Sequence, residues 1–503
     1  MNLYGLLASR FPAEGGAPCL ILPDGRRLSY AELESQSARY GALLVEAGLK
    51  PGDRVAAQVE KSAEALLLYL GCLRAGCVFL PLNPAYTRGE VVYFLNDAKP
   101  GLFVCAPERL EEAQELAWAC RLPLVHDLGA RGEGSLAAAA AQMPARFATV
   151  ERADGDLASI VYTSGTTGRS KGAMLTHRNL AANARVLHRY WGFRPGDVLL
   201  HMLPTFHVHG LFVATHCALL NGSPVLFEPK FDAARALRLM RAATVFMGVP
   251  TYYTRLLQEK GLTREAVAHM RLFISGSAPL LPETFAEFRE RTGHTLLERY
   301  GMTEGGMFTS NPLEGERRIG TVGFPLPGTE VRVVDDADKP RPAGEIGHIQ
   351  VRGQNSSSVF AGYWQMPDKT KEEFTPDGFF RTGDMGRFDA EGYLAIVGRN
   401  KDLIITGGLN VYPKEIEEAI DALPGVAESA VIGLPHPDFG EAVTAVVVRR
   451  QGGEGVSAED IIAELKGRIA GFKVPKAVHF VDDLPRNAMG KVQKNLLRQR
   501  FAG

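Results

Sequence analysis

The segment Tyr162–Met174, with the sequence YTSGTTGRSKGAM, decides the fold of this 503-residue chain. It continues an apolar run, Leu157–Tyr162, that is typical of a buried strand. Residues 163–172 hold three glycines, three threonines, two serines and one lysine. Closely spaced N–H groups, hydroxyls and an ammonium group suit a polyphosphate, whereas a flexible surface turn does not require them. The spacing GxxGxxKG differs from the GxxxxGK[ST] of a Walker A loop.

Composition indicates a globular protein with more than one domain, because 503 residues exceed what one core usually supports. A net charge of −1 gives no support for a nucleic-acid-binding surface. The N-terminus lacks a secretory signal, and no run of apolar residues is long enough to cross a membrane, so we expect a cytoplasmic protein. The six cysteines form no CxxC pair, which predicts reduced thiols and no zinc site.

Strand-like and helix-like segments alternate through the first three hundred residues. Capping boxes at Ser29–Glu32 and Thr87–Glu90 mark two helix starts. The alternation predicts doubly wound α/β sheets, largely parallel, with helices on both faces. Ligands bind such sheets at the carboxyl ends of the strands. We therefore expect one crevice lined by the loops 163–172, 204–210, 248–255, 276–281 and 299–305.

The pattern changes near Gly320, where short strands and tight turns predict a small β-barrel or sheet. Gly398–Asp402 then resembles a junction, and about a hundred residues follow it, enough for a small domain. We predict an N-terminal domain over residues 1–398 and an α+β C-terminal domain over residues 399–503.

Several crevice loops carry unusual side chains. Thr205–Gly210 has two histidines; without an obvious third ligand they favour pocket lining over a metal site. Gly276–Pro279 is a turn of small residues on which a flat ring could lie, or an ordinary connection. Arg299–Glu304 offers an aromatic ring, a hydroxyl and a carboxylate that could hold Mg²⁺ beside a polyphosphate. In Phe380–Asp384 the acid could accept ribose hydroxyls. Lys491 alone would be a solvated loop lysine.

Taken together, five motifs closely resemble those of the adenylate-forming enzymes, the family of acyl-CoA synthetases, luciferases and peptide-synthetase adenylation domains. The motifs are YTSGTTGRSKG, RYGMTE, FRTGD, GRNKDLIITGG and PRNAMGK, in that order along essentially the whole chain. The resemblance implies the reaction of an acid with ATP, and then of the acyl adenylate with coenzyme A. One departure is Gln354, which stands where the family usually has proline.

The resemblance also implies roles for individual residues. Those expected at the ATP phosphates are Thr163, Ser164, Gly165, Thr166, Thr167, Gly168 and Lys171. Those expected at the nucleoside are Ser277, Ala278, Pro279, Glu298, Arg299, Tyr300, Gly301, Met302, Asp384 and Arg399. Thr303 is expected at the α-phosphate, Glu304 and Thr163 at Mg²⁺, and Lys491 at the acyl carboxylate and the α-phosphate.

In this family the small domain moves between the two half-reactions. Lys401 occupies the hinge position, and the movement would bring Gly407, Gly408 and Leu409 to the pantetheine tunnel. Phe472 and Lys473 are expected near the coenzyme A nucleotide. We further hypothesise that a lysine acetyltransferase and a deacetylase act on Lys491, because acylation would remove a required charge.

The identity of the acid depends on a few residues. Arg255, His207 and His209, with Ser277 beside them, offer polar partners where a fatty or aryl acid would need an apolar wall. Arginine suits a second carboxylate, although Arg255 could instead be a surface residue of its helix. FHVHGLF and GVPTYYTRLL also resemble malonyl-CoA synthetases, which use malonate and often methylmalonate. Val208 and Met307 would then bound the space at the malonate C2 atom.

Three other functions stay open at this point: a CoA ligase for another short or medium acid, an adenylation enzyme that loads a carrier protein, and a non-catalytic nucleotide-binding scaffold. Intact Lys171, Glu304, Asp384 and Lys491 disfavour the scaffold.

Overall fold

The computed structural model describes residues 1–163, 170–353, 359–406, 409–437, 439–450, 456–487 and 490–502. The α-helices in these ranges are Leu3–Ala8, Tyr30–Glu46, Ala63–Ala75, Arg88–Ala98, Leu110–Cys120, Ser135–Ala141, His177–Tyr190, Thr215–Asn221, Ala233–Leu239, Pro250–Gln258, Pro282–Thr292, Pro367–Glu372, Pro413–Asp421, Ala458–Lys466 and Lys494–Phe501. The strands form four sheets. The predicted α/β class is confirmed.

The two strands that flank the glycine-rich stretch belong to a six-stranded sheet. Its order is Val125–Asp127, Leu102–Cys105, Arg54–Gln58, Val78–Pro81, Leu157–Thr163 and Lys171–Thr176. The first five strands run parallel, and the last pairs antiparallel with Leu157–Thr163, so that Tyr162 lies opposite Gly172. These last two strands therefore form a hairpin. Its second strand, Lys171–Thr176, was not predicted from the sequence.

A nine-stranded sheet forms the other half of the large domain. Its order is Phe324–Pro325, Gly306–Ser310, Leu297–Met302, Leu272–Ser275, Val245–Gly248, Leu199–His201, Val225–Phe227, Pro18–Ile21 and Arg27–Ser29. The strands from Leu297–Met302 to Pro18–Ile21 in this order are parallel neighbours. Because parallel strands end at the same edge, the loops after Val245–Gly248 and Leu272–Ser275 emerge side by side.

Both predicted capping boxes, at Ser29 and Thr87, are present. The segment after Val208 begins as a π-helix, His209–Ala214, and continues as the α-helix Thr215–Asn221. A π-helix changes the direction in which its side chains point, and such segments are common at functional sites.

The predicted β-barrel is wrong. The four strands Thr329–Val334, Gly347–Gly353, Phe380–Phe388 and Leu394–Arg399 form an open antiparallel sheet in this order. In the described residues the two outer strands do not pair with each other. Four short strands are too few to curl into a closed barrel around a packed interior.

The C-terminal part has a sheet of its own. The strands Leu409–Val411, Ile404–Thr406, Gly440–Arg449 and Val426–His436 follow one another in it, and Ala477–Val481 pairs parallel with Gly440–Arg449. An apolar cluster that includes Ile404, Ile416, Val431 and Ile461 fills the space beneath this sheet. The 3₁₀ turn Asn400–Asp402 precedes the sheet, and the domain boundary predicted there stays a prediction.

All six cysteines are free thiols, five of them buried. Among the described helices, none has the length and apolar character needed to cross a membrane. The cytoplasmic location stays a prediction.

Candidate active site

Three of the expected loops meet at the edge of the nine-stranded sheet. The Ser277 hydroxyl lies 3.2 Å from His209 Nδ1, which joins the loop after Leu272–Ser275 to the π-helix. Gly276 lies against the guanidinium of Arg299, and a Cβ at this glycine would be 2.5 Å from Arg299 Cζ. Ser277 itself adopts a left-handed conformation, with φ of 74°. Backbone strain of this kind is concentrated at functional sites. The prediction of a shared crevice is confirmed for these loops.

Arg299 is a buried cation that has no counter-ion among the described residues. Its residue is 3% exposed, and its Nε and Nη2 atoms have no hydrogen-bond partner in the described part of the chain. Burial lowers the pKa of its guanidinium to about 9, so it is still charged at neutral pH. An unpaired buried charge is costly. Nε and Nη2 form one edge of the guanidinium, and that edge matches a carboxylate.

The two histidines of the segment Thr205–Gly210 are neutral. Burial and the neighbouring Arg299 depress the pKa of His209, and burial together with Lys491 lowers the pKa of His207 to about 3. His209 Nε2 is a further buried nitrogen without a partner among the described residues. If the Ser277 hydroxyl donates to Nδ1, Nε2 carries the hydrogen and can donate to an anion. The described residues contain no group of three or more His, Cys, Asp or Glu side chains that could hold a metal ion; that the two histidines line a pocket stays a prediction.

Lys491 reaches this crevice from the C-terminal domain. Its loop packs on the helix Pro250–Gln258, since a Cβ at Gly490 would be 3.3 Å from Thr251 Oγ1. Residue Lys491 is exposed at the crevice. Desolvation by the surrounding protein and the charge of Arg399 lower the pKa of its amine to about 8, whereas Asp384 and other acids act in the opposite direction. The amine therefore lies among the residues of the predicted nucleotide site.

Asp384, Arg399 and Tyr300 form a hydrogen-bonded group beside Lys491. Arg399 Nε lies 2.7 Å from Asp384 Oδ1, and the Tyr300 hydroxyl donates to Asp384 Oδ2. Asp384 raises the pKa of Arg399, and burial followed by Asp384 raises the pKa of Tyr300. An acidic side chain and an aromatic ring are thus fixed side by side, an arrangement that suits a ribose and a base.

Glu304 is a buried carboxylate whose Oε1 accepts a hydrogen bond of 3.0 Å from the Tyr363 hydroxyl. Burial raises the pKa of Glu304, and the described residues include no cation in an ion pair with it. Lys171 lies next to it, 4.2 Å above the Tyr363 ring and 3.4 Å from Glu373 Oε1. A carboxylate in this position fits a Mg²⁺ site that phosphate oxygens complete.

The structure corrects the expectation for Arg255. This residue is exposed on the helix Pro250–Gln258. The buried, unpaired arginine is Arg299 instead, which the sequence analysis had assigned to the nucleotide. Strand alternation was the missed signal: adjacent residues point to opposite faces, so a Tyr300 that faces the nucleotide places Arg299 on the other side.

The remaining predicted residues have varied positions. Val208 is buried just before the π-helix, and Met307 pairs with Gly301 across the hairpin. Burial raises the pKa of Glu298 to about 8. Partly exposed residues of the crevice loops are Thr163, Ala278, Met302 and Thr303, whereas Pro279, Lys401 and Leu409 are exposed. Predicted residues 164–168, 407 and 408, like Gln354, lie outside the described residues.

Sequence reasoning missed Tyr363 and Glu373, the neighbours of Glu304 and Lys171. Tyr363 belongs to the GYW segment, but nothing in the letters indicates that its hydroxyl reaches Glu304 across 59 residues. Glu373 has no local signal at all.

Comparison with known proteins agrees with this geometry. Residues 8–364 match the AMP-binding enzyme family, and residues 415–491 match the AMP-binding enzyme C-terminal domain. A malonate–CoA ligase from Arabidopsis thaliana is 36% identical, over 95% of this chain and 85% of the relative. A sulfoacetate–CoA ligase from Cupriavidus necator is 35% identical, over 98% of this chain and 96% of the relative.

Among solved structures, ATP-bound MatB from Rhodopseudomonas palustris is 55% identical, with a TM-score of 0.97 over 100% of this chain and 99% of the other. The apo form of MatB superposes with a lower TM-score of 0.85. Two matched domains and the CoA ligases among its relatives identify this chain as a member of the AMP-binding enzyme family and an acid–thiol ligase of the acyl-CoA synthetase type.

Proposed function

We propose that this enzyme is a malonyl-CoA synthetase, which converts malonate, ATP and coenzyme A into malonyl-CoA, AMP and diphosphate. The observation that carries the proposal is the unpaired edge of Arg299, buried beside the neutral donor His209. A buried cation next to the acyl-binding crevice requires an acid with a second negative charge. The malonate–CoA ligase among the relatives and the likeness to MatB support the same substrate.

In the first half-reaction, an oxygen of the malonate carboxylate attacks the α-phosphorus of ATP, and the bond to diphosphate breaks. Lys491 stabilises the charge that develops at the α-phosphate, since a cation at the reacting centre acts most strongly where water is excluded. Lys171, Thr163 and the predicted residues 164–168 bind the leaving diphosphate. Thr303 contacts the α-phosphate.

The nucleoside is held by a second group of residues. Asp384 and Arg399 bind the ribose hydroxyls, and Tyr300 packs on the adenine opposite Ser277, Ala278 and Pro279. The tight contact of Tyr300, Asp384 and Arg399 supports this role. Glu304 holds Mg²⁺, which when bound neutralises phosphate charge; Thr163 is the second candidate ligand.

In the second half-reaction, the sulfur of coenzyme A attacks the acyl carbon, AMP leaves, and the thiol proton passes to solvent. We propose that the domain of residues 399–503 turns about Lys401 between the two steps, moving Lys491 out and Gly407, Gly408 and Leu409 in. The crevice position of Lys491 and the higher TM-score to ATP-bound than to apo MatB support an adenylate-forming arrangement here.

Acylation of Lys491 by a lysine acetyltransferase remains part of this proposal. The residue is exposed and its charge is required, so modification should stop adenylation. Full activity of protein that is stoichiometrically acetylated at Lys491 would refute this.

A second candidate substrate is sulfoacetate. It too carries an anion one carbon from the reacting carboxylate, and a sulfoacetate–CoA ligase is among the relatives. Methylmalonate is a third, if the space between Val208 and Met307 admits its methyl group.

Diphosphate release should be measured with malonate, methylmalonate, sulfoacetate, acetate and a fatty acid, each with and without coenzyme A. We expect malonate to give the highest kcat/KM and the CoA thioester to form. Preference for sulfoacetate would replace the proposal, and preference for acetate or the fatty acid would refute the anion site. Adenylate formation without thioester formation would indicate an adenylation enzyme that loads a carrier protein. Absence of turnover with every acid would indicate a non-catalytic nucleotide-binding scaffold.

A further inference from the structure

Lys61 is a buried lysine that the proposed reaction does not use. Its residue is 8% exposed, and its Nζ atom lies 4.4 Å above the ring of Phe227. Nζ has two hydrogen-bond partners on one residue: His201 Nδ1 at 2.8 Å and the His201 carbonyl oxygen at 2.9 Å. Burial depresses the pKa of this amine, against the opposing effect of Glu228. The neutral and the charged amine both have the two hydrogens that these contacts need, so the arrangement does not depend on its charge.

His201 connects Lys61 to the π-helix through hydrogen bonds. Its other ring nitrogen, Nε2, lies 2.9 Å from the carbonyl oxygen of Gly210. Since a carbonyl can only accept, Nε2 carries the hydrogen, and Nδ1 accepts from Lys61. The same Gly210 oxygen accepts from the Thr215 hydroxyl at 2.9 Å and from the Thr215 backbone N–H, the contact that defines the π-turn.

Gly210 has no freedom to shift independently of its neighbours. A Cβ at this position would lie 2.1 Å from the carbonyl oxygen of Pro204, so the backbone segments before and inside the π-helix are in close contact. The preceding residue, His209, contacts Ser277 and lies beside Arg299. The position of the Gly210 carbonyl therefore determines where the His209 ring lies in the pocket.

We infer that Lys61 and His201 are positioning residues for the acyl pocket: they hold the Gly210 carbonyl, and through it the π-helix that presents His209 to the acid. Neither residue touches the acid itself. Their effect should be on recognition of the acid and not on recognition of ATP, whose expected residues belong to other loops. The choice of malonate as the readout rests on the proposed function.

The decisive experiment measures KM for malonate and for ATP in Lys61→Met, His201→Asn and His201→Gln. Lys61→Met keeps the chain length and removes the amine. An asparagine amide lies near the Nδ1 position of histidine and cannot reach Gly210, whereas a glutamine amide reaches the Nε2 position and can donate to Gly210. Lys50→Met, at an exposed lysine of the same domain, is the matched control.

Loss of one hydrogen bond to a buried carbonyl predicts a rise of about fivefold to tenfold in malonate KM for Lys61→Met and His201→Asn. ATP KM should be unchanged in both, and His201→Gln and Lys50→Met should resemble the wild type. An unchanged malonate KM in Lys61→Met and His201→Asn, or equal rises for malonate and ATP, would overturn the inference. If Lys61→Met does not fold, the pair of His201 variants decides. If the wild type does not use malonate, the proposed function fails, and the same comparison is made with the acid that it does use.

Discussion

Replacing Arg299 by methionine should destroy malonate activity while leaving the protein folded. The substitution keeps an unbranched side chain only as far as the Nε position and removes the guanidinium with its two unpaired donors, Nε and Nη2. Truncating one partner of a buried, hydrogen-bonded charge pair costs about 2–5 kcal/mol. At 1.4 kcal/mol for each tenfold, kcat/KM for malonate should fall by about thirtyfold to a few thousandfold.

The Arg299→Met substitution should lower malonate activity but should not lower the free energy of unfolding. In the ligand-free protein, burial lowers the pKa of Arg299 from its ordinary value to about 9, so the folded state disfavours the charged form. At pH 7, below both values, that penalty is fully present. Methionine removes it, so Arg299→Met should be at least as stable as the wild type to heat or urea. A merely structural arginine would show the reverse.

The assay is diphosphate release with malonate, and with butyrate as an acid of similar length without the second charge. Arg255→Met is the matched control, because Arg255 is an exposed arginine near the same crevice. We expect Arg299→Met to lose malonate activity, to retain its KM for ATP and to shift its preference towards butyrate. Malonate kcat/KM equal to that of the wild type, or an equal loss in Arg255→Met, would refute the assignment of the second carboxylate to Arg299.

Three further predictions concern neighbouring residues. Gly276→Ala would place a methyl group 2.5 Å from Arg299 Cζ, so malonate KM should rise with ATP KM unchanged; equal rises would point to general damage. Lys491→Ala should block diphosphate release, yet still convert supplied malonyl adenylate and coenzyme A into product; loss of both half-reactions would contradict the two-step domain movement. The pKa of Lys491 is lowered to about 8, and its cation is the active form. The kcat/KM for adenylation should therefore fall as the pH rises through about 8. A kcat/KM that stays constant up to pH 10 would contradict this role of Lys491.

The sequence indicates the nucleotide side of the predicted site more directly than the acid side. Short motifs indicate phosphate and ribose chemistry directly from their residue types. They contain Lys171, Glu304, Asp384 and Lys491. Local patterns also sufficed for the capping boxes and most strands. The hairpin after Tyr162 was not predicted, because the glycine-rich stretch gives no strand pattern that would mark the start of the second strand, Lys171–Thr176.

The π-helix His209–Ala214 could not be predicted, because the apolar pattern of the segment is equally compatible with an α-helix. What distinguishes the two is the Gly210 carbonyl, which His201 and Thr215 hold from positions nine residues before and five after it. The closed barrel was wrong for a related reason: strand patterns predict strands, while closure depends on pairing between distant edges.

The choice of acid is therefore encoded in the orientation of side chains rather than in their identity. Arg255 and Arg299 are both arginines within crevice loops, and their letters alone favour neither. One lies on a helix surface, whereas the other points from a buried strand into the space that Gly276 leaves open. Because alternate residues of one strand face opposite sides, we propose that Arg299 faces the acid while its neighbour Tyr300 faces the nucleotide. A change at position 299 would then alter which acid is accepted and leave nucleotide binding intact.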